Sequence, residues 1–142
     1  SVCYDMQSAA AGEWVVYLQN TSATKQLVVS ASGINSVEGS RCKLHFVTGT
    51  ASAGNSLTPT NLNKTRDSNA AAATSREGGS EATGIAGLTS EACIDFAYIT
   101  ATGHEQFRLD DRLRLGQNDA IAIEYDEGTG GDVSGVIFFY FE

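Results

Sequence analysis

The stretch AIAIEYDEGTGGDVSGVIFFYF, residues 120–141, decides the fold class. Ile121 and Ile123 alternate with Ala122 and Glu124, which is the two-residue period of a strand with one face in a core. DEGTGGD (126–132) then breaks the pattern with three glycines, a turn composition. The run closes on VIFFYF, the strongest strand signal in the chain. So apolar a strand belongs in the middle of a sheet or between subunits, because on an exposed edge it would template aggregation.

Working outward, the same texture recurs. EWVVYLQN (13–20) and KQLVVSAS (25–32) flank the turn-like Asn20-Thr21-Ser22. In residues 41–48, Cys42, Leu44 and Phe46 alternate with Lys43, His45 and Val47, and ACIDFAYIT (92–100) alternates likewise. Residues 106–109 and 112–115 flank Asp110-Asp111, which reads as a tight turn. Seven or eight short strands with no helical stripe between them predict an all-β, antiparallel β-sandwich. Residues 13–142 form its single domain, and residues 1–12 read as an N-terminal arm. From about 49 to 91 small polar residues dominate and large apolar ones are rare. That segment reads as a long mid-chain loop or arm, with a short helical turn at Ala70–Ala73.

Composition narrows the function classes. The chain has 142 residues, a formal net charge of −8 and 15 glycines. Net negative charge repels phosphate backbones, so nucleic acid is not expected as a partner. No run approaches a membrane span, and residues 1–12 lack the basic start and apolar stretch of a signal peptide. The expectation is a soluble protein made inside the cell. Cys3, Cys42 and Cys93 are odd in number and widely spaced, as expected of buried or half-buried thiols in a reducing compartment. Asn20-Thr21-Ser22 and Asn63-Lys64-Thr65 match the glycosylation triplet, a pattern frequent by chance.

Catalytic patterns are missing from the sequence. His45 and His104 are the only histidines and form no HxH or HExxH pair. His45 is expected to point to solvent opposite the core, and His104 to sit in a loop. Asp126, Glu127 and Asp132 around GTGG have the oxygen chemistry for calcium but not the spacing of a known loop. No serine sits in a GxSxG elbow. Trp14, Tyr17, Tyr98, Tyr125 and Tyr140 are candidates for a sugar-stacking platform, with packing as the default reading. The sequence therefore predicts no enzyme, no cofactor and no metal site.

Three blocks carry a family resemblance. WVVYLQNTSATKQLVVSASGIN (14–35) is similar to openings of small virion proteins of tailed bacteriophages. LTPTNLNKTRDSNAAAATSREGG (57–79), followed by GIAGLTS (84–90), resembles the TPxNLN block of those proteins. LRLGQNDAIAIEYDEGTGGDVSGVIFFYF (113–141) looks like their closing pair of jelly-roll strands. The resemblance implies a jelly-roll fold and a capsid decoration, cement or head-fibre role, commonly as a homotrimer. The partners it implies are the major capsid protein and further copies of the chain. The location it implies is the virion, after synthesis in the bacterial host cytoplasm. On the mid-chain arm, Thr58, Pro59, Asn61, Asn63, Lys64, Arg66 and Arg76 are the candidate partner-contact residues, the cations facing carboxylates of a capsid protein. The alternative is a carbohydrate- or receptor-binding jelly-roll domain of a virion fibre, which requires exposed aromatic residues in a groove.

Overall fold

The computed structural model describes residues 1–60, 72–79 and 84–142. They form ten strands: β1 (Val2–Ala9), β2 (Glu13–Asn20), β3 (Leu27–Ser36), β4 (Ser40–Ser52), β5 (Asn55–Leu57), β6 (Ala73–Glu77), β7 (Ala86–Ile99), β8 (Gly103–Leu115), β9 (Ala120–Gly128) and β10 (Gly131–Phe141). They form a four-stranded sheet, β1-β10-β3-β8, and a six-stranded sheet, β5-β6-β2-β9-β4-β7. Every ladder between strands is antiparallel. Leaving aside β5 and β6, successive strands alternate between the two sheets, except at β4 and β7, which pair with each other in the six-stranded sheet. That alternation is the jelly roll, two interlocked Greek keys. β5 and β6 are appended as one short ladder beside β2.

The sandwich follows from the side chains. Tyr4, Met6, Leu18, Ile34, Leu44, Phe107, Ile121, Ile123, Tyr125 and Ile137 fill the space between the sheets, all buried. β10 is interior to its sheet, paired with β1 on one side and β3 on the other, as its apolar run requires. Gly135 lets β10 lie close to β3, and there a Cβ would meet the Gly33 carbonyl oxygen at 2.2 Å and the Tyr4 hydroxyl at 2.4 Å. β2 reads as a continuous apolar run because it is covered on both faces. A second, smaller cluster lies on the outer side of the six-stranded sheet, where Ile85 packs with Tyr17, Val47, Ala120 and Ala122.

Three expectations are corrected. Residues 1–12 are not an arm, because Val2–Ala9 is an edge strand with Val2, Tyr4, Met6 and Ala9 buried. Gly79 holds its free side, accepting from the Gln7 amide at 3.0 Å and donating to the Asp5 carbonyl at 3.1 Å. The segment 49–91 is not one long loop: β4 runs on to Ser52, and β5, β6 and the start of β7 follow within the described residues. Ala73 begins β6, while Ala70 and Ala71 lie outside the described residues. Asp110-Asp111 is not a hairpin turn. Both residues are left-handed (φ 46° and 58°) and form a bulge inside the single strand β8. The alternation resumes beyond it, so Leu109 and Leu113 both stay buried.

The thiols divide differently from the expectation. Cys42 is buried, and burial pushes its pKa up to about 12. Cys3 and Cys93 are exposed on edge strands β1 and β7.

Candidate functional site

Two outward-facing aromatic pairs stand on opposite sheets. On β10 the side chains alternate, and Val136, Phe138 and Tyr140 fall on the side away from the core. Phe138 and Tyr140 are 37% and 40% exposed. β3 presents Gly33, Ala31 and Val28 opposite them in register. An apolar strip therefore runs along β10 and β3, flanked by the exposed Cys3 and Asp5 of β1 on one side and by Arg108, Arg112 and Arg114 of β8 on the other. Arg114 is ion-paired with Glu142, whereas Arg108 and Arg112 have no ion pair among the described residues.

The second pair lies on β7, the edge strand of the six-stranded sheet. Phe96 and Tyr98 are opposite Lys43 and Arg41 of β4 and share their outward face. Their rings meet edge to face at 5.5 Å, and they are 56% and 61% exposed. The Arg41 guanidinium lies 5.8 Å from the Tyr98 ring centre and donates to the Tyr98 hydroxyl at 3.4 Å. It is also bound by Asp126 and by Glu127 at 3.1 Å. Lys43 reaches the other Asp126 oxygen at 2.5 Å. The donors, Lys43 foremost and then Arg41, hold the Asp126 carboxyl below the usual carboxylate range.

That displacement predicts a pH dependence. A carboxyl held down when folded contributes stability above its unfolded value of about 4 and loses it as pH falls through the lower folded value. Asp126→Asn is expected to lower the urea midpoint at neutral pH and to match the wild type in strong acid. A difference that stays constant from neutral pH to strong acid would contradict the assignment.

Beside this network, Gly39, Ser40, Ile99, Thr100 and Gly128 join Arg41, Tyr98 and Glu127 around an open cleft of about 350 Å³. Ser40 borders this cleft, while its hydroxyl is buried on the core side of β4 beside the Cys42 thiol.

His45 faces away from the main core, as its position in the alternation requires, yet it is buried rather than solvated. The correction arises from the second cluster over this face: Trp14 meets the imidazole edge to face at 5.3 Å. Its Nδ1 lies 2.8 Å from the Ser90 hydroxyl. Its Nε2 lies 2.9 Å from a Glu124 oxygen, but too far off axis for a hydrogen bond. His104 opens β8 rather than a loop, 2.8 Å from the Asn35 side-chain oxygen. Asp126 and Asp132 are not free calcium ligands: the first holds Arg41 and Lys43, and the second accepts from the Ser8 amide at 3.0 Å.

The predicted contact residues are dispersed. Thr58 and Pro59 follow β5, and Thr60 beyond them exchanges backbone hydrogen bonds with Ser1 at the head of β1. Arg76 is not a free cation on an arm. It sits on β6 and donates to the Ala53 and Gly54 carbonyls at 3.1 and 3.4 Å, closing the turn between β4 and β5. Asn61, Asn63, Lys64 and Arg66 lie outside the described residues. Asn20 is fully buried, and its amide nitrogen donates to the Lys25 and Leu115 carbonyls, each at 2.9 Å, so the folded chain offers no glycosylation acceptor there. No described helix is long and apolar enough to cross a membrane.

The chain matches no family model, no curated protein and no solved structure.

Proposed function

We propose that this chain is a non-enzymatic structural protein of a tailed-bacteriophage virion, decorating or stabilising the capsid as a homotrimer through protein–protein contacts. The observation that carries the reading is the outward face of the four-stranded sheet. Phe138 and Tyr140 stand exposed on an interior strand, beside Ala31 and Val28 of β3. A solvated sheet face normally carries polar side chains in those positions, and an exposed apolar patch rimmed by polar residues marks an interaction surface. Sheets turned toward a three-fold axis would bury these faces against neighbouring copies and leave the six-stranded sheets outside. Arg108 and Arg112, unpaired among the described residues of an acidic chain, supply polar contacts at the rim. The partner is then the major capsid protein, and the location is the virion.

Sedimentation equilibrium of the purified chain tests the assembly step. The reading expects a mass three times that of the chain at micromolar concentration. A monomer at all concentrations would overturn it.

A further inference from the structure

We propose that the cleft beside Tyr98 binds a neutral saccharide. The inference goes beyond the assembly reading and uses the opposite sheet. Two features point to this ligand class. Tyr98 and Phe96 present aromatic surface at 61% and 56% exposure on an edge strand. Aromatic rings in such positions stack on the C–H face of a pyranose. Next to them, Arg41 and Glu127 are joined at 3.1 Å, with the Glu127 side chain 69% exposed. A sugar hydroxyl bridges such a pair by accepting from the guanidinium and donating to the carboxylate.

Charge selects neutral over anionic sugars. The cations at the cleft are Arg41 and Lys43, and both are engaged by Asp126, with Glu127 adding a further negative charge. An anionic ligand has to displace a carboxylate already in place, whereas a neutral polyol adds to the network without breaking it. The floor of the cleft is built of small residues. Gly39 has no atom within 3.8 Å of where a Cβ would stand, so the backbone itself tolerates a side chain that would narrow the site.

Saturation-transfer NMR tests the proposal, using lactose, maltose, cellobiose and N,N′-diacetylchitobiose at about 10 mM, in the range where single-site sugar affinities are measurable. A sulfated heparin disaccharide serves as the anionic comparator. The expected result is transfer to at least one neutral sugar and none to the sulfated one. Tyr98→Ala should weaken that transfer about tenfold, and Gly39→Val should weaken it as well. Phe138→Asp should leave it unchanged, which separates this site from the assembly face. No transfer to any neutral sugar, preference for the sulfated one, or transfer indifferent to Tyr98→Ala would overturn the proposal. Tyr98 lies outside the core, so its loss leaves the sandwich folded and the outcome interpretable.

Discussion

The double variant Phe138→Asp, Tyr140→Ser should sediment as a monomer at concentrations where the wild-type chain is a trimer. Both side chains stand on the outer side of β10, so they contribute little to the core and the variant should keep its β-sheet circular dichroism. In an interface they are the large rigid anchors, and truncating such anchors costs about 2 kcal/mol or more per contact. That is about 30-fold in affinity for each of the contacts in a ring. Introducing a carboxylate at Phe138 adds the cost of burying an unpaired charge. A monomeric variant with an intact fold, beside a trimeric wild type, assigns the interface to this sheet. A variant that remains trimeric moves the interface elsewhere.

The second large effect is on stability. Asn20→Ala should lower the unfolding free energy by roughly 3 kcal/mol, read from urea unfolding, because it leaves several buried backbone groups without partners. Asn20 is fully buried at the end of β2. Its side chain donates to Lys25 and Leu115 carbonyls and accepts from the Ser22 amide at 2.9 Å. Its backbone meanwhile exchanges hydrogen bonds with Asp119 and Asn118. One side chain thus ties the connection out of β2 to the end of β8 in the opposite sheet. An unfolding free energy within about 0.5 kcal/mol of wild type, the range of ordinary surface substitutions, would show that this clamp is dispensable.

The sandwich was legible wherever alternation and β-branched residues coincide, as in β2, β4, β9 and β10. β1 carried the same signal, with Val2, Tyr4 and Met6 alternating against Cys3, Asp5 and Gln7. The polar half of that alternation and the small residues after it gave it the texture of an arm. β6 was harder to see, because ATSRE has no large apolar residue and owes its place to the ladder with β2. In β8, two left-handed aspartates imitate a hairpin, and only the pairing with β3 on both sides of the bulge shows a continuous strand.

The candidate sites were legible only in part. Tyr98 and Tyr140 stood among the aromatic residues of interest, but alternation alone does not say which face is inward. In β7 that is settled by Ala97 and Ile99, which are buried. The grouping of Arg41, Lys43, Tyr98, Asp126 and Glu127 has no local signature. It arises because β4 lies between β7 and β9 in the finished sheet, bringing together residues far apart in the chain. Arg76 shows the converse: a cation in a polar stretch looks available until the turn whose carbonyls it satisfies is in view.

The most direct test of the virion role is to mix the purified chain with undecorated shells of a tailed phage and pellet the shells. The account predicts saturable co-sedimentation, strongly reduced for the Phe138→Asp, Tyr140→Ser variant. Wild-type protein remaining in the supernatant with shells of its own host's phages in excess would contradict it.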